Sequence, residues 1–296
     1  MQVRIKAAKP YLELMRVPNV FTSMADIFAG YFAVTQHQPG PVRPLIFLLF
    51  STSFLYTAGI IFNDYFDYEV DLKERPGRPL PSGRVSLPTA LAMGVVFMIL
   101  GILFAGLVNT QSFILATLLA GAILGYDSVT KNIPVLGSLN MGGCRFLNVL
   151  LGMSFVPAQI PSNLVIAFLV MLYVVSITTL SKGEVLGGRQ RSQQLAMMGV
   201  VIVILGCFYV WWEGMLAGFT PLLFLLAFAI VTLRPLIKVL SEATPSNIKT
   251  AVKTLVLSII LLDAYFTAGF ANFFLGLWVL ALLIPSILIA RFLYVT

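Results

Sequence analysis

Acidic and basic side chains gather in one short stretch of an otherwise apolar sequence, NDYFDYEVDLKERPGRPLPSG, which begins at Asn63. Asn63, Asp67 and Asp71 recur every four residues, so on a helix they share one face and present oxygen ligands to one spot. Hard cations bind such oxygens. Arg75 and Arg78 follow closely. Guanidinium groups beside carboxylates suit a magnesium-bound polyphosphate better than a bare metal or a neutral ligand.

The elements that carry these residues are predicted to be membrane-spanning helices. Hydrophobic residues make up 59% of the chain and charged residues 10%, with a mean hydropathy of +0.95, which lies outside the range of soluble domains. Ten segments have the roughly 20 apolar residues that cross the hydrocarbon core of a bilayer. They are 17–36, 43–62, 87–108, 112–130, 135–157, 161–181, 193–212, 216–235, 250–270 and 272–293. The last pair has a short connection, so nine crossings and one re-entrant segment is the alternative.

Positive charge predicts the orientation of this bundle. With an inside N-terminus, the opposite side carries only Arg43. Both termini are then predicted to be cytoplasmic, and the net charge of +7 reflects topology rather than nucleic-acid binding. The cytoplasmic charges are Arg4, Lys6, Lys9, Arg16, Lys73, Arg75, Arg78, Arg84, Lys131, Lys182, Arg189, Arg191, Arg234, Lys238, Lys249, Lys253 and Arg291.

The rest of the chain offers no second domain or metal motif. The N-terminal MQVRIKAAKP lacks an apolar core with a cleavage site, which predicts no removable signal peptide. Cys144 and Cys207 lie in apolar segments without metal-ligand spacing, and the one histidine, His37, falls in a short loop. We expect one membrane domain over residues 1–296.

The acidic stretch resembles a known motif. Asn63-Asp64-x-x-Asp67-x-x-x-Asp71 and its basic continuation are similar to the first aspartate-rich motif of the UbiA intramembrane prenyltransferases. The order of the other pieces agrees: Arg16-x-Pro18-Asn19-x-x-Thr22 opens the first helix, and Gly125-Tyr126 with Lys131 ends the fourth. The resemblance implies an all-α bundle of nine to ten transmembrane helices around a cavity open to the cytoplasmic side and to lipid. It also implies Mg2+, a polyprenyl diphosphate and an aromatic or other lipophilic acceptor. We expect an integral protein of a bacterial inner membrane.

Roles can be predicted for individual residues. Asn63, Asp67 and Asp71 would hold a metal, and the candidate catalytic residues are Asp67, Asp71, Tyr126 and Lys131. Ionisation of an allylic diphosphate needs stabilisation of the departing negative charge, and the face of the Tyr126 ring can steady a carbocation. The alternative is that these charges anchor a loop and set topology. The candidate substrate-binding residues are Arg16, Asn19, Arg75, Arg78, Lys182, Glu184, Arg145 and Asn148.

One position departs from the family pattern. The family has a second aspartate-rich motif after the sixth helix, and this chain has TTLSKGEVLGG there, in which Glu184 is the only acid. Lys182, Arg189 and Arg191 add positive charge, so direct cationic contact with phosphate is expected in place of a second metal. This altered motif, together with GGCRFLN in the fifth helix, gives a narrower resemblance to the UbiA-like subgroup called EboC.

Charged residues inside the apolar segments form a second signal. Asp26, Arg145 and Asp263 lie near mid-depth, where exposure to lipid would be costly. We expect Arg145 to pair inside the bundle with Asp26, Asp263 or both, with Asn148 beside it. The interpretation is either acceptor recognition or proton handling at the inner end of a cavity, or a structural ion pair.

Three functions therefore remain open. An intramembrane prenyltransferase accounts for the acidic motif and the cytoplasmic loops. A lipid-binding or lipid-handling protein without catalysis accounts for the altered second motif. A transporter with a midplane site accounts for the buried charges but leaves the surface motif without a role.

Overall fold

The protein is a bundle of helices. The computed structural model describes residues 2–35, 40–182 and 189–292, and every regular element in these ranges is a helix. The α-helices are α1 (Gln2–Leu14), α2 (Val20–Thr35), α3 (Val42–Phe66), α4 (Tyr68–Glu74), α5 (Leu87–Gly106), α6 (Thr110–Ser128), α7 (Pro134–Met153), α8 (Ile160–Ser181), α9 (Arg189–Trp212), α10 (Pro221–Ser241), α11 (Pro245–Leu257), α12 (Ile259–Phe270), α13 (Phe273–Leu280) and α14 (Leu283–Phe292).

Seven helical stretches in the described ranges are long and apolar enough to cross a bilayer. They correspond to α3, α5, α8, α9, α10, the pair α11 and α12, and the pair α13 and α14. The all-α class and the membrane bundle are confirmed, and the protein is an integral membrane protein. The other three predicted segments form α2, which has only 16 residues, and the more polar α6 and α7. The count of nine to ten crossings stays a prediction.

The centre of the bundle is α12. All twelve of its residues are buried, and it packs against α2, α10 and α13. Such a helix is apolar on every side because every side meets another helix. Asp263 is the acidic exception on it, so any partner for that carboxyl must come from a neighbouring helix.

Helices α2 and α7 approach each other closely through glycines. A Cβ added at Gly152 would lie 2.7 Å from the backbone oxygen of Ile27, and one at Gly30 would meet the backbone oxygen of Val149. Small residues allow membrane helices to pack backbone against backbone. This contact brings the polar face of α7 against α2, and so places Arg145 opposite Asp26.

The acidic stretch that begins at Asn63 stays helical from the end of α3 into α4. The amide of Asp67 bonds the carbonyl of Asn63 at 3.0 Å, and that of Asp71 bonds the carbonyl of Asp67 at 2.8 Å. The loop that follows turns at Gly83, whose φ of 70° favours glycine. A small apolar cluster holds the loop on the bundle, formed by Leu14, Ile61, Leu80, Val85 and Ala90.

Candidate functional site

Charged side chains from four separate elements meet at one end of the bundle. Arg16, two residues after the end of α1, is in the left-handed region, with φ 41° and ψ 48°, and its guanidinium bonds Asp64 on α3 at 2.5 Å. Arg78, from the loop after α4, reaches the same carboxylate at 3.3 Å. A non-glycine residue in this conformation is strained. In this conformation the Arg16 side chain forms its ion pair with Asp64. Asp64 is therefore neutralised by arginine.

Asp71 is held in the same way. Arg78 bonds its Oδ2 at 2.6 Å, and Arg75 lies 3.5 Å from its Oδ1. Asp71 is only 1% exposed, whereas the Arg75 side chain is 52% exposed. Arg78 thus ties the loop to two buried carboxylates, and the predicted metal ligand Asp71 is occupied by guanidinium groups in this conformation.

Asn63 and Asp67 belong to a second group, which surrounds Lys131. The Lys131 ammonium bonds Asp67 Oδ1 at 2.5 Å, and the Asp67 side chain remains 28% exposed. The amide nitrogen of Asn63 donates to Oδ1 of Asp127 at 3.1 Å. Asp127 lies in the last turn of α6 and is 3% exposed. Two carboxylates and an amide thus face one lysine.

Lys182 stands beside this group, where the family pattern would have an acid. Its ammonium donates to the backbone carbonyl of Lys131 at 2.6 Å and lies 5.6 Å from the centre of the Tyr126 ring. Burial, and next the charge of Lys131, lower the pKa of Lys182 from its usual value. Lys182 is therefore a cation that loses its charge more readily than an exposed lysine.

A cavity of about 270 Å3 runs from this charged end into the bundle between α2, α3, α6 and α7. On α3 it extends from Asn63 to Thr52, eleven residues, or roughly 16 Å along the helix. The mouth is polar, the middle is apolar, and the inner end is polar again. The lining residues are Arg16, Asn19, Ser23, Thr52, Tyr56, Gly59, Ile60, Asn63, Leu119, Ile123, Tyr126, Asp127, Met141, Cys144, Arg145 and Asn148.

The inner end holds the buried ion pair. Arg145 bonds Asp26 Oδ2 at 2.9 Å and the hydroxyl of Thr22 at 2.8 Å, and its guanidinium lies 5.2 Å from the centre of the Tyr56 ring. Asn148 donates to the same Asp26 oxygen at 2.8 Å and accepts from Thr52 at 2.7 Å. The predicted pairing of Arg145 with Asp26, with Asn148 beside it, is confirmed.

Asp263 approaches this pair from α12. It is fully buried, and it lies within hydrogen-bonding reach of Asp26. Neither of its carboxyl oxygens, nor Oδ1 of Asp26, has a conventional donor among the described residues. The Arg145 cluster therefore contains two buried carboxyl groups and one guanidinium.

Six of the thirteen predicted site residues thus line one cavity, at its two ends. Arg16, Asn19, Asn63 and Tyr126 line it near the mouth, and Arg145 and Asn148 line it at the inner end. Arg75 does not line the cavity and is half-exposed beside Asp71, and Glu184 lies outside the described residues. The assignment of individual roles stays a prediction.

Sequence reasoning missed Asp127 as a site residue and left Asp64 without a role. Asp127 directly follows Tyr126 at the end of an apolar segment, and that position was the available signal. Its contact with Asn63 joins residues 64 positions apart, so it depends on how α3 and α6 pack. Tyr56 and Thr52 gave no signal, because single polar residues are common in membrane helices.

Comparison with known proteins identifies the family. Residues 23–251, more than half of the chain, match the UbiA prenyltransferase family. The chain belongs to this family. Among curated UbiA relatives, a digeranylgeranylglyceryl phosphate synthase of Sulfurisphaera tokodaii is 35% identical over 133 residues, 45% of this chain and 48% of the relative. The synthase of Methanothrix thermoacetophila is 39% identical over 132 residues, 43% of this chain and 48% of the relative. The chain therefore spans about half the length of these curated relatives.

Solved UbiA structures have the same fold. A homologue from Aeropyrum pernix superposes with a TM-score of 0.70 at 17% identity, covering 84% of this chain and 97% of the other. A homologue from Archaeoglobus fulgidus, bound to DMAPP and Mg2+, gives a TM-score of 0.63 at 18% identity, covering 88% and 98%. These relatives are archaeal, so the bacterial inner membrane, the cytoplasmic termini and the EboC subgroup stay predictions.

The residues at the mouth of this UbiA-family cavity fit a divalent cation only when a phosphate-containing ligand binds together with it. In the part of the chain that the structure describes, no three Asp, Glu, His or Cys side chains are grouped to hold a metal. Asn63 nevertheless bonds Asp127 and lies one helical turn before Asp67, so the mouth holds two carboxylates and an amide oxygen as neighbours. Mg2+ is commonly held by one or two carboxylates while phosphate and water supply the rest, so the residues present fit it when a phosphate is bound.

Proposed function

We propose that this chain transfers a prenyl group from a polyprenyl diphosphate to a lipophilic acceptor within the membrane. The observation that carries the proposal is a cavity with cations and carboxylates at its mouth and a second polar group at its inner end. Such a cavity holds a charged head group at the membrane surface while its tail lies in an apolar environment. Family membership supports the same activity.

The donor head group would bind at the mouth. Arg16 and Asn19 line the cavity there, and the ammonium groups of Lys131 and Lys182 lie beside Asp67 and Tyr126. Cationic donors bind phosphate oxygens strongly because the hydrogen bonds are charge-assisted. Mg2+, which accompanies DMAPP in the Archaeoglobus fulgidus homologue, would supply further positive charge to the leaving diphosphate. Asn63 and Asp67 would hold it.

The reaction breaks the allylic carbon–oxygen bond of the donor, and the electron pair leaves with the diphosphate. Lys131 and Lys182 would stabilise that developing charge from fixed positions. The ring of Tyr126 lines the cavity, and the face of an aromatic ring attracts positive charge such as that left on the allylic carbon. The acceptor then bonds this carbon and loses a proton.

The acceptor's polar group would lie at the inner end. Arg145 uses two of its nitrogens on Asp26 and Thr22, yet its side chain also lines the cavity, as does Asn148. A guanidinium carries five N–H donors, so it can bind a ligand oxygen without leaving Asp26. The names of the archaeal relatives make a prenylated glycerol phosphate the first acceptor to test, with an aromatic acceptor as the second.

A second candidate is a UbiA-like lipid-binding protein without turnover. It is favoured by the occupation of Asp64 and Asp71 by arginines and by Lys182 where an acid is expected. Such a protein would bind a polyprenyl diphosphate and release no diphosphate. The two candidates are therefore separated by turnover rather than by affinity.

The test uses purified protein in lipid nanodiscs. We expect geranylgeranyl diphosphate to bind in the presence of Mg2+, and to release diphosphate when the acceptor is added. Asp67→Asn should abolish both, because it removes a partly exposed carboxylate at the mouth. Glu69→Gln, an exposed acid on the neighbouring helix α4, should change neither. Normal Mg2+-dependent binding by Asp67→Asn would refute the placement of the donor site.

A further inference from the structure

Asp127 has an environment that a buried carboxylate does not ordinarily have. It is 3% exposed and lines the cavity, and its direct hydrogen bond comes from the neutral amide of Asn63. Over the described ranges, no lysine or arginine nitrogen lies within 4.0 Å of its carboxyl group, the limit within which every other buried acid at this end has a partner. A buried charge without a counter-ion is costly, so this carboxylate is suited to a cation that arrives with a ligand.

The neighbouring acids are engaged differently. Asp64 and Asp71 are each bonded by arginine, and Asp67 is bonded by Lys131 at its exposed edge. Lys131 is thus committed to Asp67, although its charge also acts on Asp127. Of the four carboxylates at the mouth, Asp127 is the one that faces the cavity with no cationic side chain bonded to it.

The contact with Asn63 leaves a second oxygen near Asp127. The amide nitrogen of Asn63 donates to Asp127, so the amide oxygen of Asn63 takes no part in this hydrogen bond. Asn63 and Asp127 come from different helices and both line the cavity. This is the hard-oxygen environment that Mg2+ takes in proteins.

We propose that Asp127 is a direct carboxylate ligand of the Mg2+ that accompanies the diphosphate, in addition to Asp67. The inference rests on the proposed function and extends it to a residue of α6.

The test measures metal binding without turnover. Mn2+ replaces Mg2+, inorganic diphosphate is the ligand, and electron paramagnetic resonance gives the Mn2+ dissociation constant. Asp127→Asn keeps the size of the side chain and the oxygen that accepts from Asn63, but removes the charge. We expect Mn2+ to bind at least about tenfold more weakly. Glu69→Gln should leave the constant unchanged.

The Asp67→Asn variant separates this inference from the proposed function. If Asp127→Asn binds Mn2+ normally while Asp67→Asn does not, Asp127 only orients Asn63, and the inference is overturned while the donor site stands. If both variants bind normally, the metal lies elsewhere and both proposals fail.

A second measurement needs no variant and so does not depend on the folding of Asp127→Asn. Wild-type protein labelled with carboxyl-13C aspartate, loaded with Mn2+ and inorganic diphosphate, is studied by electron–nuclear double resonance. Two strongly coupled aspartate carboxyl carbons would support direct ligation by Asp67 and Asp127. One or none would overturn it.

Discussion

Replacement of Arg145 by leucine tests how the inner end of the cavity is held together. The Arg145 guanidinium bonds Asp26 at 2.9 Å, and Asp26 is fully buried. Arg145→Leu removes the positive charge and leaves Asp26 with the Asn148 amide as its donor. The adjacent carboxyl of Asp263 supplies no positive charge, so Asp26 is left without a cationic partner.

The magnitude follows from the burial of both partners. Loss of one partner of a buried ion pair costs about 3–5 kcal/mol, because the other charge stays buried and uncompensated. For a chain of this length, each kcal/mol lowers the melting temperature by about 2 °C. We expect a decrease of about 6–10 °C, measured by thermal unfolding in detergent or nanodiscs.

A double variant isolates the cause. Asp26→Asn introduced together with Arg145→Leu removes the stranded charge while keeping a polar group beside Asn148. We expect it to recover more than half of the lost stability, since a neutral pair costs less to bury than a lone carboxylate. An unchanged melting temperature for Arg145→Leu alone would refute this reasoning. It would mean that water in the cavity, rather than Arg145, compensates Asp26.

Two further predictions concern the close contact between α2 and α7 and the mouth of the cavity. Gly152→Ala should lower the melting temperature by about 2–6 °C, because its Cβ would meet the Ile27 backbone oxygen at 2.7 Å. Gly121→Ala is the control and should not lower the melting temperature, because a Cβ there would have no atom within 4 Å. Equal effects would contradict the close α2–α7 contact. Binding of inorganic diphosphate should weaken in Lys182→Ala. In the wild type, the affinity should decrease as pH rises into the alkaline range, because the lowered pKa of Lys182 makes it lose its charge at a lower pH than an ordinary lysine. Lys182→Arg should move that loss to higher pH, and an identical pH profile would exclude Lys182 from the head-group site.

The sequence predicted the features that depend on local pattern. Apolar length located the helices, and the four-residue spacing of Asn63, Asp67 and Asp71 located the charged end of the bundle. Mid-depth charges predicted the pairing of Arg145 with Asp26, because a charged side chain in hydrocarbon needs a partner.

The remaining features depend on which helices pack together. The spacing of Asp71 gave no sign that Arg78 would fold back and bond it, since that contact requires the loop after α4 to turn toward the bundle. Likewise, Asp127 becomes part of the mouth only because α6 lies beside α3. Glycine positions such as Gly152 are unremarkable in a membrane sequence until the neighbouring backbone is known.

The central claim is prenyl transfer in this cavity. The most direct measurement is mass spectrometry of the products formed by purified protein from geranylgeranyl diphosphate, Mg2+ and either geranylgeranylglyceryl phosphate or 4-hydroxybenzoate. We predict that one acceptor gains the mass of the prenyl group, that diphosphate is released in equal amount, and that Asp67→Asn or chelation of the metal abolishes both. Tight, metal-dependent binding of the donor with no product and no diphosphate release from either acceptor would contradict the claim and favour the lipid-binding alternative.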